Sequence, residues 1–203
     1  MPWRSSDATL TKRVILVTGT PCVGKTSTAK ALAEKLKAAY VNLTELAQRK
    51  NLTVGTDEER GSLVVDEKRM KREIRKLVDA TDTDIVIDGH YAASVVPKTQ
   101  CTRVFVLRRD PAELRELMRK SGFPDKKMYE NLASEILDVC LVEAISAQGK
   151  ERTCELNVTS ETVNQVVGRI VDVLSGREEC RVGIVDWLGK LEREGLLDEY
   201  LRI

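Results

Sequence analysis

The stretch Gly19-Thr20-Pro21-Cys22-Val23-Gly24-Lys25-Thr26 constrains what this chain can fold into more than any other. It spells G-x-x-x-x-G-K-[ST], a loop that wraps phosphate, and it demands a strand before it and a helix after it. Both are legible. Arg13-Val14-Ile15-Leu16-Val17-Thr18 is a β-branched apolar run suited to a buried parallel strand. Ala29, Leu32, Ala33 and Leu36 recur at the spacing of one helix face. Backbone N–H groups can surround a triphosphate because glycine reaches the needed dihedrals and lets the backbone come close. The helix then aims its positive end at the same charge. On this reading Gly19, Pro21, Cys22, Val23, Gly24 and Ser27 line a nucleotide. Lys25 reaches its β- and γ-phosphates, and the Thr26 hydroxyl is a ligand to Mg²⁺.

Downstream the pattern alternates. Ala39 to Leu43 reads as a short strand, and Thr44 as the cap of a short helix through Arg49. Asn51 to Ser62, with Gly55, Gly61 and the acidic Asp57, Glu58 and Glu59, reads as a mobile loop. Asp66 opens a helix whose Met70, Ile74, Leu77 and Val78 share a face, its many lysines and arginines being a solvated side. Asp84 to Asp88 and Thr102 to Leu107 read as buried strands, and Asp110-Pro111 as the cap and first residue of a helix. Pro124 to Gln148 reads as one long helix, its wide apolar face of Met128, Leu132, Ile136, Leu137, Val139, Leu141 and Ile145 largely buried. A fifth strand spans Cys154 to Val158, and a helix runs from about Ser160 to Leu174. Strands alternating with helices imply an α/β fold, a parallel sheet with helices on both faces, with ligands at the carboxyl ends of its strands. After Ser175-Gly176-Arg177 the composition shifts to amphipathic helices that could pack on the core, pair with a second copy or meet a partner. Packing on the core is the default expectation.

The chemistry follows from position. Asp88 closes an apolar strand beside the loop and is the expected Mg²⁺ carboxylate. His90, the one histidine, lies just beyond it, near a γ-phosphate or a water. Phosphoryl transfer needs cations around the migrating group. Arg108 and Arg109 end a strand, and position favours Arg108; Arg119 and Lys120 precede the Ser121-Gly122-Phe123 break, expected to be a short lid. A GTPase is excluded, because no Asn-Lys-x-Asp motif is present and Asp186-x-x-Gly189 lies far from the loop in order.

Composition mainly excludes. A chain of 203 residues, 42% apolar, suits one globular domain, and a net charge of +1 gives no electrostatic case for nucleic acid. Two Phe, two Trp and four Tyr offer no base-stacking platform. Met1 to Thr11 lacks an apolar signal core, and no run is long enough to span a membrane, so a soluble, cytoplasmic protein is expected. Five scattered cysteines in odd number argue against a disulfide framework, and one histidine argues against zinc.

These residues carry a family likeness. The loop, the Asp88-Gly89-His90 turn, and Leu107-Arg108-Arg109-Asp110 through Gly122-Phe123-x-x-Lys126-Lys127 resemble the adenylate kinase isoenzyme 6 family over about Arg13 to Gly176. Asn42-Leu43-Thr44-Glu45-Leu46 and Asp66-Glu67-Lys68-Arg69 look like its monophosphate-binding region. The resemblance implies a P-loop NTPase core over residues 1–176 with a five-stranded parallel sheet. It implies a monophosphate-binding region at about 42–72 and a short lid at about 119–127; the helical extension over 177–203 lies beyond the family core. It further implies ATP and Mg²⁺ as ligands, AMP or another nucleoside monophosphate as acceptor, ATPase activity, and a link to small-subunit ribosome maturation through the protein uS11. Where the family usually has Arg-Gly-Tyr and Leu-Ala-Arg, this chain has Ser121-Gly122-Phe123 and Leu46-Ala47-Gln48 with Arg49 next, so the lid cation is either supplied by Arg119 or Lys120 or absent.

Overall fold

Strand β1, Val14–Thr18, is buried along its whole length and forms the axis of the molecule. It leads through the glycine loop into α1, Lys25–Leu36. The chain continues as β2 (Ala39–Asn42), α2 (Leu43–Arg49), a hairpin of β3 (Thr53–Asp57) and β4 (Ser62–Val65), and α3 (Glu67–Ala80). Then come β5 (Ile85–Asp88), α4 (Ala92–Val95), β6 (Arg103–Arg108), α5 (Pro111–Lys120), α6 (Asp125–Ile136) and α7 (Val139–Gln148). Strand β7 (Thr153–Asn157), α8 (Val163–Leu174), α9 (Trp187–Glu194) and α10 (Leu197–Tyr200) complete the order. The structure is a computed structural model that describes residues 12–57 and 62–202; Met1 to Thr11, Glu58, Glu59 and Gly61 of the sequence readings lie outside the described residues.

Five strands form one parallel sheet in the order β2-β5-β1-β6-β7. Every second residue faces the same side, so both faces can be apolar only if both are covered. Ile15, Val17, Phe105 and Leu107 enter one core with α1, α5, α6 and α8. Val14, Leu16, Val104 and Val106 enter the other with α2, α3, α4 and α7. None of these strand residues is more than 2% exposed. Because β1 is central, the loop that follows it lies at the carboxyl edge where the sheet order reverses.

Three readings of the sequence are corrected. The long helix from Pro124 to Gln148 is two, broken at Asp138, whose φ is 59°. The break has a geometric cause: α6 packs in one core and α7 in the other, and one straight rod cannot serve both faces of a sheet. The apolar stripe is therefore not wholly buried, and Leu137 and Val139 are 46% and 37% exposed. The segment read as a loop holds the antiparallel hairpin β3–β4. Helix α2 is capped by Asn42, whose side chain accepts from the Glu45 N–H at 3.0 Å, and not by Thr44. Helix α3, by contrast, is capped by Asp66 as read.

The C-terminal segment packs on the core: Val185, Trp187, Leu191 and Tyr200 are buried beside α6 and α8. Arg115 pairs with Glu199 and lies 4.2 Å from the Tyr200 ring, and Lys190 pairs with Asp110. A disulfide joins Cys154 of β7 to Cys180, against the expectation from the odd cysteine count. The two residues are 26 apart in sequence, and their Cα atoms stand 5.0 Å apart once the tail lies along the edge strand β7. Parity of the cysteine count could not foresee that proximity, and Cys22, Cys101 and Cys140 remain free. Among the described residues no helix is long and apolar enough to cross a membrane.

Candidate nucleotide site

The glycine loop is shaped by residues that no side chain could replace. Gly19 has φ +136°, and a Cβ there would stand 2.5 Å from the Leu107 carbonyl oxygen of β6. Gly24 has φ +104° and opens α1. The loop also closes on itself: Lys25 Nζ donates to the Thr20 carbonyl at 2.7 Å, and Val23 N donates to the same oxygen at 3.4 Å. Burial lowers the Lys25 ammonium below its ordinary value, so its proton is held less tightly than in water. Cys22, in a left-handed conformation, places its Sγ 3.9 Å from Ser121 Oγ, which brings the turn after α5 against the loop.

Across from Lys25, β5 delivers Asp88, which is 1% exposed. Its Oδ2 accepts from Thr26 Oγ1 at 2.7 Å, Asn42 Nδ2 at 2.9 Å and the Tyr40 hydroxyl at 3.1 Å. Parallel pairing sets Asn42 of β2 level with Asp88 of β5, and the period of two puts Tyr40 on the same face. These donors are neutral, and no ion pair satisfies this buried carboxylate among the described residues. A buried carboxylate and a hydroxyl within hydrogen-bond distance of it form a hard-oxygen pair that fits Mg²⁺. Desolvation and the Asp88 charge push the Tyr40 phenol up to about 12, so it stays a donor. The following turn is tied down by Thr18 Oγ1, which donates to the His90 carbonyl at 2.9 Å. Partial desolvation and the Lys25 charge hold the His90 imidazole below its ordinary value.

The sequence pattern of the AAA domain family matches residues 15–138. The chain is 34% identical over 176 residues to a protein named "Putative adenylate kinase" from Methanocaldococcus jannaschii, covering 87% of this chain and 93% of that one. A namesake from Pyrococcus furiosus is 35% identical over 191 residues, covering 94% and 98%. The chain belongs to the adenylate-kinase-like P-loop kinases. It is thereby a phosphotransferase. Solved structures agree on the fold: a gluconokinase from Sinorhizobium meliloti 1021 superposes with TM-score 0.53 at 16% identity, over 82% of this chain and 98% of its own. A shikimate kinase from Bacteroides thetaiotaomicron gives 0.53 at 19%, over 80% and 98%.

The other cations of this P-loop kinase do not stand where strand position suggested. Arg108 is 1% exposed, and its side chain runs into the protein. Its Nε donates to Glu135 Oε1 at 2.9 Å and its Nη1 to Glu155 Oε1 at 2.7 Å. Its Nη2 serves the Glu135 carbonyl at 2.7 Å and Asp138. With its N–H groups so committed, Arg108 is a buried counter-ion and does not face the loop. Arg109 does: it donates to the Val23 carbonyl from Nε at 3.3 Å and Nη2 at 3.2 Å, while Nη1 pairs with Glu113. Arg119 and Lys120 are exposed at the end of α5, with Arg119 on Glu116 at 3.0 Å.

Two residues at the site were not singled out from sequence. Tyr40 sits at i−2 from Asn42 on a strand, a same-face spacing that could have paired them. Glu135 occupies an apolar-face position of α6, at i+3 from Leu132, and is 1% exposed. A carboxylate on the buried stripe of a helix is itself the signal that it has partners.

Proposed function

We propose that this chain catalyses ATP-dependent phosphoryl transfer to a nucleoside monophosphate, ATP and AMP giving two ADP, with ATP hydrolysis as the companion reaction when water replaces the acceptor. The observation that carries the reading is the Asp88 cluster: a buried carboxylate held by neutral donors, bonded to the threonine that follows the loop lysine. That arrangement is built to receive a hydrated divalent cation and the phosphates it accompanies. The names of the relatives support the acceptor class.

In this reading the amides from Gly19 to Thr26, with Ser27, take the phosphates. Lys25 leaves the Thr20 carbonyl for the β- and γ-phosphate oxygens and stabilises charge as it spreads over the moving group. Thr26 and Asp88 hold Mg²⁺, which when bound screens the phosphate charge. His90, kept neutral by its surroundings, orients the attacking oxygen and accepts a hydrogen bond from it. Tyr40 and Asn42 fix the Asp88 carboxylate. Arg109, and at the mouth Arg119 or Lys120, supply the positive surroundings that Arg108 cannot. Residues 42–72, comprising α2, the hairpin and the start of α3, bind the acceptor, and the turn at 119–127 closes the site. Transfer is direct and in line, without a covalent enzyme intermediate. The likeness to the isoenzyme 6 family extends the proposal to small-subunit ribosome maturation, with uS11 as the partner.

The test is a chromatographic assay of ATP, ADP and AMP with Mg²⁺, with and without added AMP. The reading expects AMP to be consumed with two ADP formed per turnover. Phosphate release with AMP untouched would reduce the protein to an ATPase. Lys25→Ala should abolish either activity with the fold intact, and turnover retained in that variant would overturn the site assignment.

A further inference from the structure

The C-terminal segment touches the nucleotide site through one carboxylate. Glu135 Oε2 accepts from Thr20 Oγ1 of the phosphate loop at 2.5 Å. Its Oε1 accepts from Trp187 Nε1 at 3.2 Å, from Arg108 Nε at 2.9 Å and from the Arg109 backbone N–H at 3.0 Å. Thr20 is 0% exposed, and its carbonyl is the acceptor for Lys25 Nζ at 2.7 Å. So hydrogen bonds join Trp187 to Glu135 and Glu135 to the Thr20 hydroxyl, and the carbonyl of that same threonine accepts from Lys25. The same segment holds a second counter-ion of Arg108. Ile184 N donates to Glu155 Oε2 at 2.8 Å, and the Arg181 carbonyl accepts from Glu155 N at 2.8 Å. Cys180, in disulfide with Cys154 of β7, fixes where this segment starts.

We propose that the C-terminal segment acts on the nucleotide site through Trp187 alone, with Glu135 and Trp187 as positioning residues that set the phosphate loop. The physical ground is that a buried carboxylate has to have its acceptor sites met, and it takes its orientation from its donors. Thr20 is neutral and has one hydroxyl, so its rotamer follows the carboxylate. The loop peptide that receives Lys25 belongs to that same threonine. Losing the indole N–H leaves Glu135 Oε1 to Arg108 and the Arg109 amide alone, which turns the carboxylate and with it the Thr20 hydroxyl bonded to Oε2. The loop then loses the geometry in which its amides converge. This inference rests on reading the loop as the nucleotide site.

The test uses the full chain and a fluorescent ATP analogue with Mg²⁺. Trp187→Phe removes the N–H and keeps an aromatic ring at the cost of part of its volume; Leu191→Ala opens a larger hole in the same helix, whose Leu191 is 3% exposed and makes no contact with Glu135 by hydrogen bond. Trp187→Phe is expected to weaken the analogue by about fivefold, and to speed hydrogen exchange at the Gly19 to Gly24 amides. Leu191→Ala is expected to lower the melting temperature by more than Trp187→Phe, while keeping affinity within about twofold and loop exchange unchanged. In a Trp3→Phe background, where Trp187 is the single tryptophan, emission should shift on titration with MgATP. Glu135→Gln should weaken binding too, and adding Trp187→Phe to it should cost little more, because the two act in series. Affinity falling in step with melting temperature in both helix variants would make the segment a plain stability element and overturn the inference. So would unchanged affinity in Trp187→Phe. Failure of the unaltered chain to bind the analogue at all would instead overturn the nucleotide reading beneath it.

Discussion

Strands β5 and β6 flank β1 on either side, and each ends in a charged residue beside the phosphate loop, yet the two ends do opposite things. Asp88, at the end of β5, is met by a threonine, a tyrosine and an asparagine. Arg108, at the end of β6, is met by three carboxylates, those of Glu135, Asp138 and Glu155. Both side chains are 1% exposed. The difference lies in the charge of the partners. Neutral donors hold Asp88 in place and leave its charge unpaired by any cationic side chain among the described residues. Carboxylates consume the charge of Arg108 and leave nothing for a phosphate. Position at a strand end brings a residue to the site's neighbourhood; the formal charge of its neighbours decides whether it acts there.

Substitutions at the two ends should therefore separate function from stability. The largest effect is expected at the β5 end. Asp88→Asn keeps the shape and should lower turnover by about a thousandfold, with a change in melting temperature of only a few degrees, read by the coupled ADP assay and by calorimetry. Equal loss of stability and activity would erase the contrast. At the β6 end, Arg108→Met should leave Glu135 and Glu155 buried without their cation and cost about 3–5 kcal/mol of folding free energy. What remains folded at low temperature should still bind nucleotide. Urea unfolding monitored by circular dichroism measures the first, and analogue titration at 10 °C, or about that, the second.

Next in size is the clasp that holds the tail against β7. Closing a loop whose ends are 26 residues apart is worth about 3.5 kcal/mol on chain-entropy grounds. Dithiothreitol, or Cys180→Ser, should lower the urea midpoint accordingly, and a midpoint indifferent to both would mean that the pairing does not form in solution. The smallest effect is a pH dependence at His90. Desolvation and Lys25 lower its folded pKa, so below the unfolded value of about 6.5 the unfolded chain binds a proton that the native state does not. Stability should rise with pH through that window and be flat above it. Below the folded pKa both states are protonated, and the gain is gone. His90→Asn should remove the slope, as checked by melting curves at closely spaced pH values between roughly 5 and 7.

Much of this was legible beforehand, and the reasons are local. The loop reads from eight residues because its glycines are required by backbone geometry within the loop and at β6. The three central strands of the sheet read from apolar runs because both faces of a parallel sheet are covered there. Asp88 reads because a strand delivers it at a fixed distance from the loop. The break at Asp138 was hidden because it answers to two cores on opposite faces, and periodicity reports a stripe without saying how many surfaces it meets. The hairpin at 53–65 was hidden because small and polar residues there read as loop.

What the sequence determined by itself is the phosphate loop, the succession of the five sheet strands, and the carboxylate that ends the strand after α3, because each shows as a local pattern of residues. What only the tertiary structure decided is the fate of Arg108, the disulfide of Cys154 with Cys180, and the reach of Trp187 to Glu135. Those contacts join residues 26 to 52 positions apart, and a charged side chain takes its role from the sign and burial of whatever the fold brings against it.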